Sequence, residues 1–295
     1  MYKENERIAK SCPCCDSRDL RKSPAILMPF IAHRIFGWQP VEIDESWGLK
    51  TIRNGYAYSL CNSLCCIECG FLFLDIRFSD DELETLYKGY RDEKYVELRE
   101  FYEPGYRERN QDLLGGIDYI DQVEKFLMPH LSLPVKILDW GGDTGKNSPF
   151  KSDNKCWHIY DISNQPVIPG AILVDKKTVM TTPFYDLIIC SNVMEHVPYP
   201  AQLLQEIQKV MKKNTVLYIE VPHEAILRIP SQDKYSEQYK KHWHEHINFF
   251  TENSLIKLIE KSGMKALSIC SLEVTVGSEK NNTAVFQIAC KLSAS

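Results

Sequence analysis

The stretch LDWGGDTG at residues 138–145 constrains the fold of this chain more than any other. It follows the β-branched, apolar run 135–137, so it predicts a strand that ends in a glycine-rich turn. Glycine lets a ligand approach the backbone closely, because a Cβ would block the approach or forbid the required dihedral angles. The helix after such a turn points its N-terminus at the ligand and favours a negative group there. The turn therefore predicts a ligand-binding α/β domain.

The spacing of Gly141, Gly142 and Gly145 distinguishes between two classes of ligand. The pattern is G-G-x-x-G, which differs from the dinucleotide fingerprint G-x-G-x-x-G. Asp161 lies twenty residues beyond Gly141, the usual distance of an acid that binds ribose hydroxyls. Asp139 precedes the glycines and suits a ligand with a positive amino group. S-adenosylmethionine carries both an ammonium and a carboxylate, so we expect it at the turn, with a purely structural turn as the alternative.

Five short apolar runs from residue 135 onward are rich in β-branched and aromatic residues: VKILDW, WHIYDI, AILVD, YDLIICS and VLYIEVP. Such runs are typical of buried parallel strands. Amphipathic helices are predicted in PAQLLQEIQKVMKKN, which Asn214 is expected to end in the left-handed conformation, and in TENSLIKLIEKSGM. Two closing strands, KALSICSLEV and TAVFQIAC, are expected to form a hairpin through the loop GSEKNN. Strands that alternate with helices predict a doubly wound α/β sheet.

The first seventy residues contain two C-x-x-C pairs, Cys12 with Cys15 and Cys66 with Cys69. Each pair can present two thiolates from a tight turn, and two pairs complete the tetrahedral four-thiolate site that suits structural zinc. Four protein ligands leave no open position, so this zinc is expected to be structural and not catalytic. The segment between the pairs, residues 16–65, must loop out. Cysteines without a metal ion are the alternative, and two neighbours offer other registers: Cys14 and Cys65.

The length of 295 residues allows one large domain and a smaller one. We expect a zinc-binding module at residues 1–75, a helical connector at 76–132 and an S-adenosylmethionine-binding domain at 133–295. Ser79 is predicted to cap the connector's first helix, with Glu82 completing a capping box. The connector's tyrosines belong either to a solvated face or to a pocket: Tyr90, Tyr95, Tyr102 and Tyr106.

Composition excludes some functions. Apolar residues make up 44% and charged residues 25% of the chain, as in ordinary globular proteins. The formal net charge of −5 argues against a nucleic-acid-binding surface. No run has the roughly 18 apolar residues of a membrane span, and no secretory signal is visible. A cytoplasmic protein that acts on a small molecule is expected.

A histidine cluster in HWHEHINFFT places His242, His244, Glu245 and His246 within five residues. It follows the fifth predicted strand of the α/β domain, on the side where substrate loops are expected. Histidine titrates near neutral pH, and an adjacent acid can orient its ring, so a general base or substrate contacts are predicted here. Metal binding and surface or capping histidines are the alternatives.

Residues 135–290 resemble the class I S-adenosylmethionine-dependent methyltransferases. ILDWGGDTG is similar to that family's first motif, L-D-x-G-x-G-x-G, and YDLIICSNVMEHVPYPAQLLQEIQKVMKKNTVLYIEVP is similar to its fourth-strand and fifth-strand region. The resemblance implies a Rossmann-like sheet of seven strands with an antiparallel last hairpin. It implies cofactor contacts from Gly141, Gly145 and Asp161, with Ser191 and Asn192 beside the cofactor. Asp143 departs from the family pattern, which commonly has glycine there.

With its cysteine pairs, the chain further resembles nucleotide-sugar C-methyltransferases that carry an N-terminal four-cysteine zinc module. CxxCGFLFLDIRFSDDELETLY is similar to the second cysteine pair and following helix of that subgroup. Its HEH segment implies that Glu245 and His246 lie near the substrate, with His246 as base and His244 as a substrate contact. Glu195 and His196 of MEHV are second candidates for the base, or belong to a structural turn.

These patterns leave several functions open. The first hypothesis is a methyltransferase that acts on a sugar or related polar metabolite, with carbon and oxygen acceptors unresolved. The segment between the cysteine pairs, residues 29–59, departs from the sugar enzymes, so an O-methyltransferase of a non-sugar metabolite is an alternative. A non-catalytic module that docks a partner protein is another. A nicotinamide-dependent oxidoreductase is disfavoured by the glycine spacing and the two closing strands.

Overall fold

The computed structural model describes residues 6–48, 54–228, 235–276 and 279–293, and for residues 112–114, 276 and 279–282 it describes the backbone alone. The ranges outside this description include the start of the predicted module 1–75 and five residues of the segment between the cysteine pairs. They also include residues 277–278 of the predicted GSEKNN loop.

The N-terminal part brings the two cysteine pairs together with antiparallel strands. Its elements are β1 (Leu20–Leu27), α1 (Pro29–Phe36), β2 (Val41–Ile43), β3 (Gly55–Ala57), β4 (Leu60–Cys66) and β5 (Leu72–Leu74). Strands β1 and β4 are antiparallel, with Leu20 opposite Cys66, and β5 pairs with β4. The segment between the cysteine pairs therefore does not simply loop out as predicted, because it leaves and returns as paired strands.

The connector consists of four helices: α2 (Asp80–Tyr87), α3 (Glu93–Tyr102), α4 (Tyr106–Leu114) and α5 (Ile120–Leu127). The predicted capping box at its start is confirmed. The Ser79 hydroxyl accepts the Glu82 amide at 3.3 Å, and a Glu82 carboxylate oxygen accepts the Ser79 amide at 2.8 Å. These two bonds satisfy amides that the first helical turn leaves without partners.

The C-terminal half alternates strands and helices. Its elements are β6 (Val135–Trp140), β7 (Asn154–Tyr160), β8 (Ile172–Leu173), α6 (Lys176–Thr181), β9 (Leu187–Ser191), α7 (Pro200–Gln208), β10 (Val216–Pro222), α8 (Ala225–Arg228), α9 (Ser236–Tyr239), β11 (His242–Trp243), β12 (Asn248–Phe249), α10 (Glu252–Lys261), β13 (Met264–Val276) and β14 (Glu279–Leu292). Helix α7 ends before the predicted stop at Asn214, which is not in the left-handed region, so that expectation is wrong. Gly263, at φ +72°, follows α10 as expected.

Seven strands form the main sheet, in the order β13-β14-β10-β9-β6-β7-β8. Strands β6 to β10 are parallel to one another, whereas β14 is antiparallel to both β10 and β13. The Rossmann-like sheet with its antiparallel last hairpin is thus confirmed. Strand β10 is buried along nearly its whole length, since helices cover both faces of a parallel sheet.

The histidine cluster belongs to a second sheet and not to the seven-stranded one. Strands β11 and β12, on either side of His244–Glu245–His246 in the chain, are the outer strands of a five-stranded sheet ordered β11-β1-β4-β5-β12. The sheet therefore combines the N-terminal part with a segment that follows β10. Among the described residues, the structure contains no helix long and apolar enough to cross a membrane.

Candidate active site

The glycine turn follows β6 and packs too tightly for larger residues. A Cβ on Gly142 would lie 2.6 Å from the Asp139 carboxyl carbon, and one on Gly145 would lie 2.8 Å from the Trp157 ring. Gly141 and Gly145 also have φ near +80°, a region that L side chains rarely adopt. The turn is held to the next strand because the Gly141 amide donates to the Tyr160 carbonyl at 2.7 Å. The predicted glycines therefore form a narrow backbone cradle.

Asp139 lies beneath this cradle and is only 4% exposed. Its Oδ2 accepts a hydrogen bond from the Ser148 hydroxyl at 2.5 Å, and Ser148 in turn accepts one from the Trp157 indole at 3.1 Å. Burial raises the pKa of Asp139 to about 7, since the low-dielectric interior disfavours the carboxylate. A positive group that reached this acid would stabilise its charged form.

Asp161 directly follows the last residue of β7 and lies next to the glycine turn. Its two oxygens accept the backbone amides of Asp143 at 2.9 Å and Ser163 at 2.8 Å. Each carboxylate oxygen keeps a lone pair for a further donor such as a hydroxyl. Asp143, the residue that departs from the family pattern, has φ +49° and lies 3.3 Å from the Arg91 guanidinium of the connector. This acid therefore ties the glycine turn to the connector.

Ser191 and Asn192 lie at the end of β9 and share one partner that the sequence reasoning missed. Both side chains donate to Oε1 of Glu220 on β10, at 2.9 and 3.2 Å. Glu220 is 1% exposed and also accepts hydrogen bonds from Tyr119, Tyr218 and Gln287. A charged residue inside the apolar run VLYIEVP was the signal that could have identified it, because a buried carboxylate requires donors.

The histidine segment opens onto a charged cavity of about 260 Å³, lined by Arg99, Glu103, Arg109, Glu224, Lys240, His244, Glu245, His246 and Phe249. Helix α3 reaches the segment through Arg99, whose guanidinium lies 2.8 Å from the Glu245 carboxylate. His244 contacts Glu103 and Glu245. Burial lowers the pKa of His244 to about 4, although Glu103 opposes this shift. His244 is therefore neutral at physiological pH.

His246 differs from His244 in the direction of its pKa shift. Its Nδ1 lies 3.0 Å from Oε1 of Glu224. Burial lowers the pKa of His246, but the charges of Glu224 and Glu195 outweigh burial and leave the pKa above the ordinary value. His242 lies apart from both, exposed on β11.

The turn after β9 brings Glu195 and His196 against this segment. The His196 and His246 rings are perpendicular, with centroids 4.7 Å apart. Nδ1 of His196 lies 2.9 Å from the Tyr87 hydroxyl and 3.1 Å from the Glu245 carbonyl. Burial lowers the pKa of His196 well below its ordinary value. The two candidate pairs for the base, predicted from separate motifs, are therefore neighbours in one site.

Two of the four connector tyrosines pack behind this site. Tyr95 and Tyr106 are buried, and the Arg99 guanidinium lies 4.3 Å from the Tyr106 ring centroid. The rings of Tyr90 and Tyr95 contact each other edge to face at 5.3 Å. Tyr102 lies farther out, with its hydroxyl 2.8 Å from His33. The group thus supports the wall of the cavity more than it lines it.

The four predicted thiolates converge as one cluster. The sulfur of Cys12 lies 3.6 Å from that of Cys69, and the sulfur of Cys15 lies 3.5 Å from Cys66 and 3.6 Å from Cys69. All four sulfurs lie within 4.8 Å of one another. Tetrahedral zinc with bonds of about 2.3 Å separates its sulfurs by about 3.8 Å, so the cluster has the size of such a site. Cys14 and Cys65 are buried nearby but are not part of the cluster.

Fold and glycine turn together define the class of this protein, and sequence comparison agrees. Residues 105–269, more than half of the chain, match the family of methyltransferase domains. The chain belongs to this methyltransferase family.

Individual relatives are distant. A ubiquinone biosynthesis O-methyltransferase of Colwellia psychrerythraea is 22% identical over 120 residues, which are 39% of this chain and 49% of the relative. The chain thus matches about half the length of that relative. A 1,6-didemethyltoxoflavin-N1-methyltransferase of Burkholderia thailandensis, solved with bound 1,6-didemethyltoxoflavin and S-adenosylhomocysteine, is 14% identical with a TM-score of 0.47. The match covers 67% of this chain and 88% of the other. The magnesium protoporphyrin IX methyltransferase of Synechocystis PCC 6803, solved with S-adenosylhomocysteine, is 13% identical with a TM-score of 0.42. That match covers 68% of this chain and 100% of the other.

Proposed function

We propose that this protein transfers a methyl group from S-adenosylmethionine to a small polar metabolite, a sugar or nucleotide-linked sugar, with His246 as the base and Glu245 beside it. One observation carries the proposal: the turn after β9, which adjoins the predicted cofactor residues Ser191 and Asn192, contacts the histidine segment through His196 and the Glu245 carbonyl. The end of β9, where the proposed cofactor residues lie, is therefore adjacent to the proposed base, as direct transfer between two bound molecules requires.

The cradle of Gly141, Gly142 and Gly145 suits the amino-acid end of this cofactor, because a Cβ on Gly142 would lie against the Asp139 carboxyl group and cover it. The buried acid Asp139 suits the ammonium group, and Asp161 suits the ribose hydroxyls through its remaining lone pairs. Ser191 and Asn192, oriented by Glu220, would line the cofactor on the β9 side.

The chemistry divides between cofactor and chain. Methyl transfer forms a bond from the acceptor atom to the methyl carbon and breaks the carbon–sulfur bond, whose electron pair stays on sulfur, while the acceptor's proton passes to the base. His246 can accept that proton because Glu224 holds its Nδ1 and leaves the other ring nitrogen for the acceptor. His244, kept neutral by burial, would contact the acceptor as a hydrogen-bonding group.

The charged lining of the cavity supports a polar acceptor. Three basic and three acidic side chains face it, together with two histidines. Hydroxyl groups of a sugar could bond to both kinds of charged group. The ubiquinone relative is named an O-methyltransferase, so transfer to a hydroxyl of a non-sugar metabolite is the second candidate.

We also propose that Cys12, Cys15, Cys66 and Cys69 bind one structural zinc ion. The fit rests on the size of the sulfur cluster and on its composition, since four thiolates form a closed zinc site. Zinc would hold the end of β4 and the residues before β1 in place. It would supply no chemistry to methyl transfer.

Calorimetric titration with S-adenosylhomocysteine tests the cofactor, with NAD as the negative control. We expect micromolar or tighter binding that Asp161→Ala weakens at least tenfold. Asp153→Ala is the matched control, because Asp153 is exposed and lies just before β7, at the opposite end of that strand. If S-adenosylhomocysteine does not bind the zinc-loaded protein, the enzyme proposal fails and the partner-docking module becomes the leading hypothesis. If it binds, methylation of candidate sugar acceptors is the next assay.

A further inference from the structure

Glu195 is a buried acid without the hydrogen-bond donors that a buried carboxylate requires. It is 1% exposed, and neither carboxylate oxygen has a hydrogen-bond partner among the described residues. A buried carboxylate without donors is costly, and its usual remedies are a proton or a nearby positive charge. Burial raises the pKa of Glu195 to about 7, so the carboxyl group keeps a proton below that pH and needs a nearby positive charge when it ionises.

The fold holds this carboxylate against the base. The backbone carbonyl of Glu195 accepts the amides of Ile247 at 2.8 Å and Asn248 at 3.1 Å, immediately after His246 in the chain. The Asn248 side chain also donates to the carbonyls of Met194 and Val197. These bonds fix the turn after β9 to the histidine segment, so the relative position of Glu195 and His246 is set by backbone contacts.

The buried guanidinium of Arg77 reinforces this junction. It is 1% exposed and donates to the Pro198 carbonyl at 2.9 Å and to the Asn248 side chain at 2.9 Å. It also donates to the Leu74 carbonyl on β5. Three segments thus meet at one junction, in which Glu195 and His246 already lie close together.

Within the junction, a carboxylate oxygen of Glu195 and ring nitrogens of His196 and His246 lie within 4.8 Å of one another. Nε2 of His196 is 3.8 Å from Glu195, too far for a hydrogen bond, and burial keeps His196 neutral. His246 is therefore the neighbour that can become positive. The titratable and charged groups around it are Glu195 and His196 after β9, Glu224 after β10, Lys240 after α9, His244 and Glu245 in its own segment, and Arg99 on α3.

We propose that Glu195 is a positioning residue that acts through His246, by stabilising the imidazolium that forms when His246 takes the acceptor's proton. Glu224 orients the ring through Nδ1. Glu195, whose carboxylate has no hydrogen-bond donor among the described residues, adds a second negative charge when it ionises. When the methyl group leaves the sulfonium, one positive charge disappears there and one appears on His246. Glu195 favours that relocation of charge, because it interacts with the imidazolium more strongly than with the neutral ring.

The inference takes its base from the proposed function, but its first test needs no acceptor. Histidine ring signals of isotopically labelled protein are followed by NMR across pH in the complex with S-adenosylhomocysteine, and the His246 signal is assigned from His246→Asn. We expect His246 to titrate above pH 6.5 in the wild type and at least about one pH unit lower in Glu195→Gln, since one nearby carboxylate is removed.

Two further variants make the result specific. Glu195→Asp keeps the charge on a shorter side chain and is expected to restore most of the His246 pKa. Glu97→Gln removes an exposed carboxylate from α3 and is expected to leave it unchanged. If Glu195→Gln does not fold, the wild type and Glu195→Asp still decide, because a wild-type His246 that titrates at or below pH 6.5 overturns the proposal. A His246 signal that shifts when further Zn²⁺ is added to protein already loaded with one zinc ion would also overturn it, since the cluster of two histidines and a carboxylate would then be a metal site.

Once an acceptor is known, the pH dependence of kcat adds a second readout. The acidic limb reports the pKa of His246, because only the neutral ring accepts a proton. Glu195→Gln is expected to move that limb to lower pH and to lower the plateau of kcat, while KM for the acceptor stays within about threefold. An unchanged limb together with a raised KM would assign Glu195 to acceptor binding and contradict the proposal. Absence of methyl transfer with an intact NMR result would count against the proposed function alone.

Discussion

Gly145 in the glycine turn is constrained both by its backbone conformation and by its packing. Its φ of +80° and its distance to Trp157 are separate constraints. Gly170 offers a matched comparison, because it has φ +94° but no atom within 4 Å of an added Cβ. The two glycines therefore separate the dihedral requirement from the packing requirement.

Gly170→Ala is expected to lower the free energy of unfolding by about 1–2 kcal/mol through the left-handed backbone alone. Gly145→Ala is expected to lose a further 1–3 kcal/mol or so, because the added methyl group overpacks against Trp157 and Ile159. Urea denaturation of both variants measures the difference. Equal losses would mean that the indole ring moves aside without penalty.

Asp139 makes stability depend on pH in an unusual direction. An unfolded aspartate titrates near pH 3.9 or so, whereas the folded Asp139 has a pKa of about 7 because it is buried. Between these values the folded chain binds more protons than the unfolded chain. The free energy of unfolding therefore falls as pH rises through this window, and this contribution levels off above pH 7.

Asp139→Asn is expected to make that fall shallower, since the amide does not titrate and its oxygen can still accept from Ser148. The measurement is urea denaturation at pH 5 and pH 8, with Asp153→Asn as an exposed control. Some slope should remain, because burial raises the pKa of Glu195 to about 7 as well. If the unfolding free energies of the wild type and the variant change equally between pH 5 and pH 8, Asp139 is ionised in the folded protein.

At the scale of elements, helix α10 connects the cysteine cluster to the main sheet. Thr251 caps α10 by accepting the Ser254 amide, and its hydroxyl also donates to the Cys69 carbonyl at 2.7 Å. Lys257 of the same helix donates to the Glu68 carbonyl at 3.0 Å. The second C-x-x-C pair therefore rests on the first turns of α10.

Thr251→Val is expected to destabilise the protein more than Ser79→Ala, although both remove a capping box. Loss of a cap costs about 1 kcal/mol, and the unsatisfied Cys69 carbonyl adds about 1–3 kcal/mol. Unfolding free energies of the two variants are compared, together with the rate at which a chromogenic chelator removes zinc. Faster zinc loss in Thr251→Val alone is expected; equal rates would separate the cap from the cluster.

At the scale of the whole molecule, one sheet links the cysteine cluster to the proposed base. Cys66 ends β4, and β11 and β12 in the same five-stranded sheet flank His246 in the chain. The proposed cofactor residues belong instead to the seven-stranded sheet. Damage to the cluster should therefore affect the acceptor side more than the cofactor side.

Cys66→Ser is expected to abolish stoichiometric zinc, measured by elemental analysis, whereas Cys156→Ser on β7 retains one zinc ion per chain. The His246 titration should change in Cys66→Ser, because its sheet loosens, while affinity for S-adenosylhomocysteine stays within about tenfold. A variant that retains zinc would remove Cys66 from the ligand set. If Cys66→Ser loses affinity for S-adenosylhomocysteine but keeps the His246 titration unchanged, the cluster supports the cofactor side and the prediction is wrong.

The predictions from sequence agree best with the structure where neighbouring residues alone determine the local conformation. The runs VKILDW and VLYIEVP coincide with β6 and β10 residue for residue, because a strand buried on both faces is mostly apolar. The Ser79 cap and the Gly263 stop are correct for the same reason, since both depend on neighbouring residues alone. The Asn214 stop was wrong because α7 ends at Gln208, within the predicted helix.

The site was only partly predictable. Its histidines, glycines and acids stand out as residue types, but Arg99, Glu220 and Glu224 lie within ordinary helix, strand and loop sequence. Their roles depend on which elements come together, as when Glu220 accepts hydrogen bonds from the residue before α5, from β9 and from β14. No periodicity within one element carries that information.

The sequence by itself determined the alternation of strands and helices, the glycine cradle and the two C-x-x-C pairs, because each follows from residues close together in the chain. Only the tertiary structure decided that the histidine segment joins the N-terminal sheet and that Glu195 meets His246. Those contacts join segments far apart in sequence, and they arise because backbone amides and buried side chains must find partners wherever the packed elements offer them.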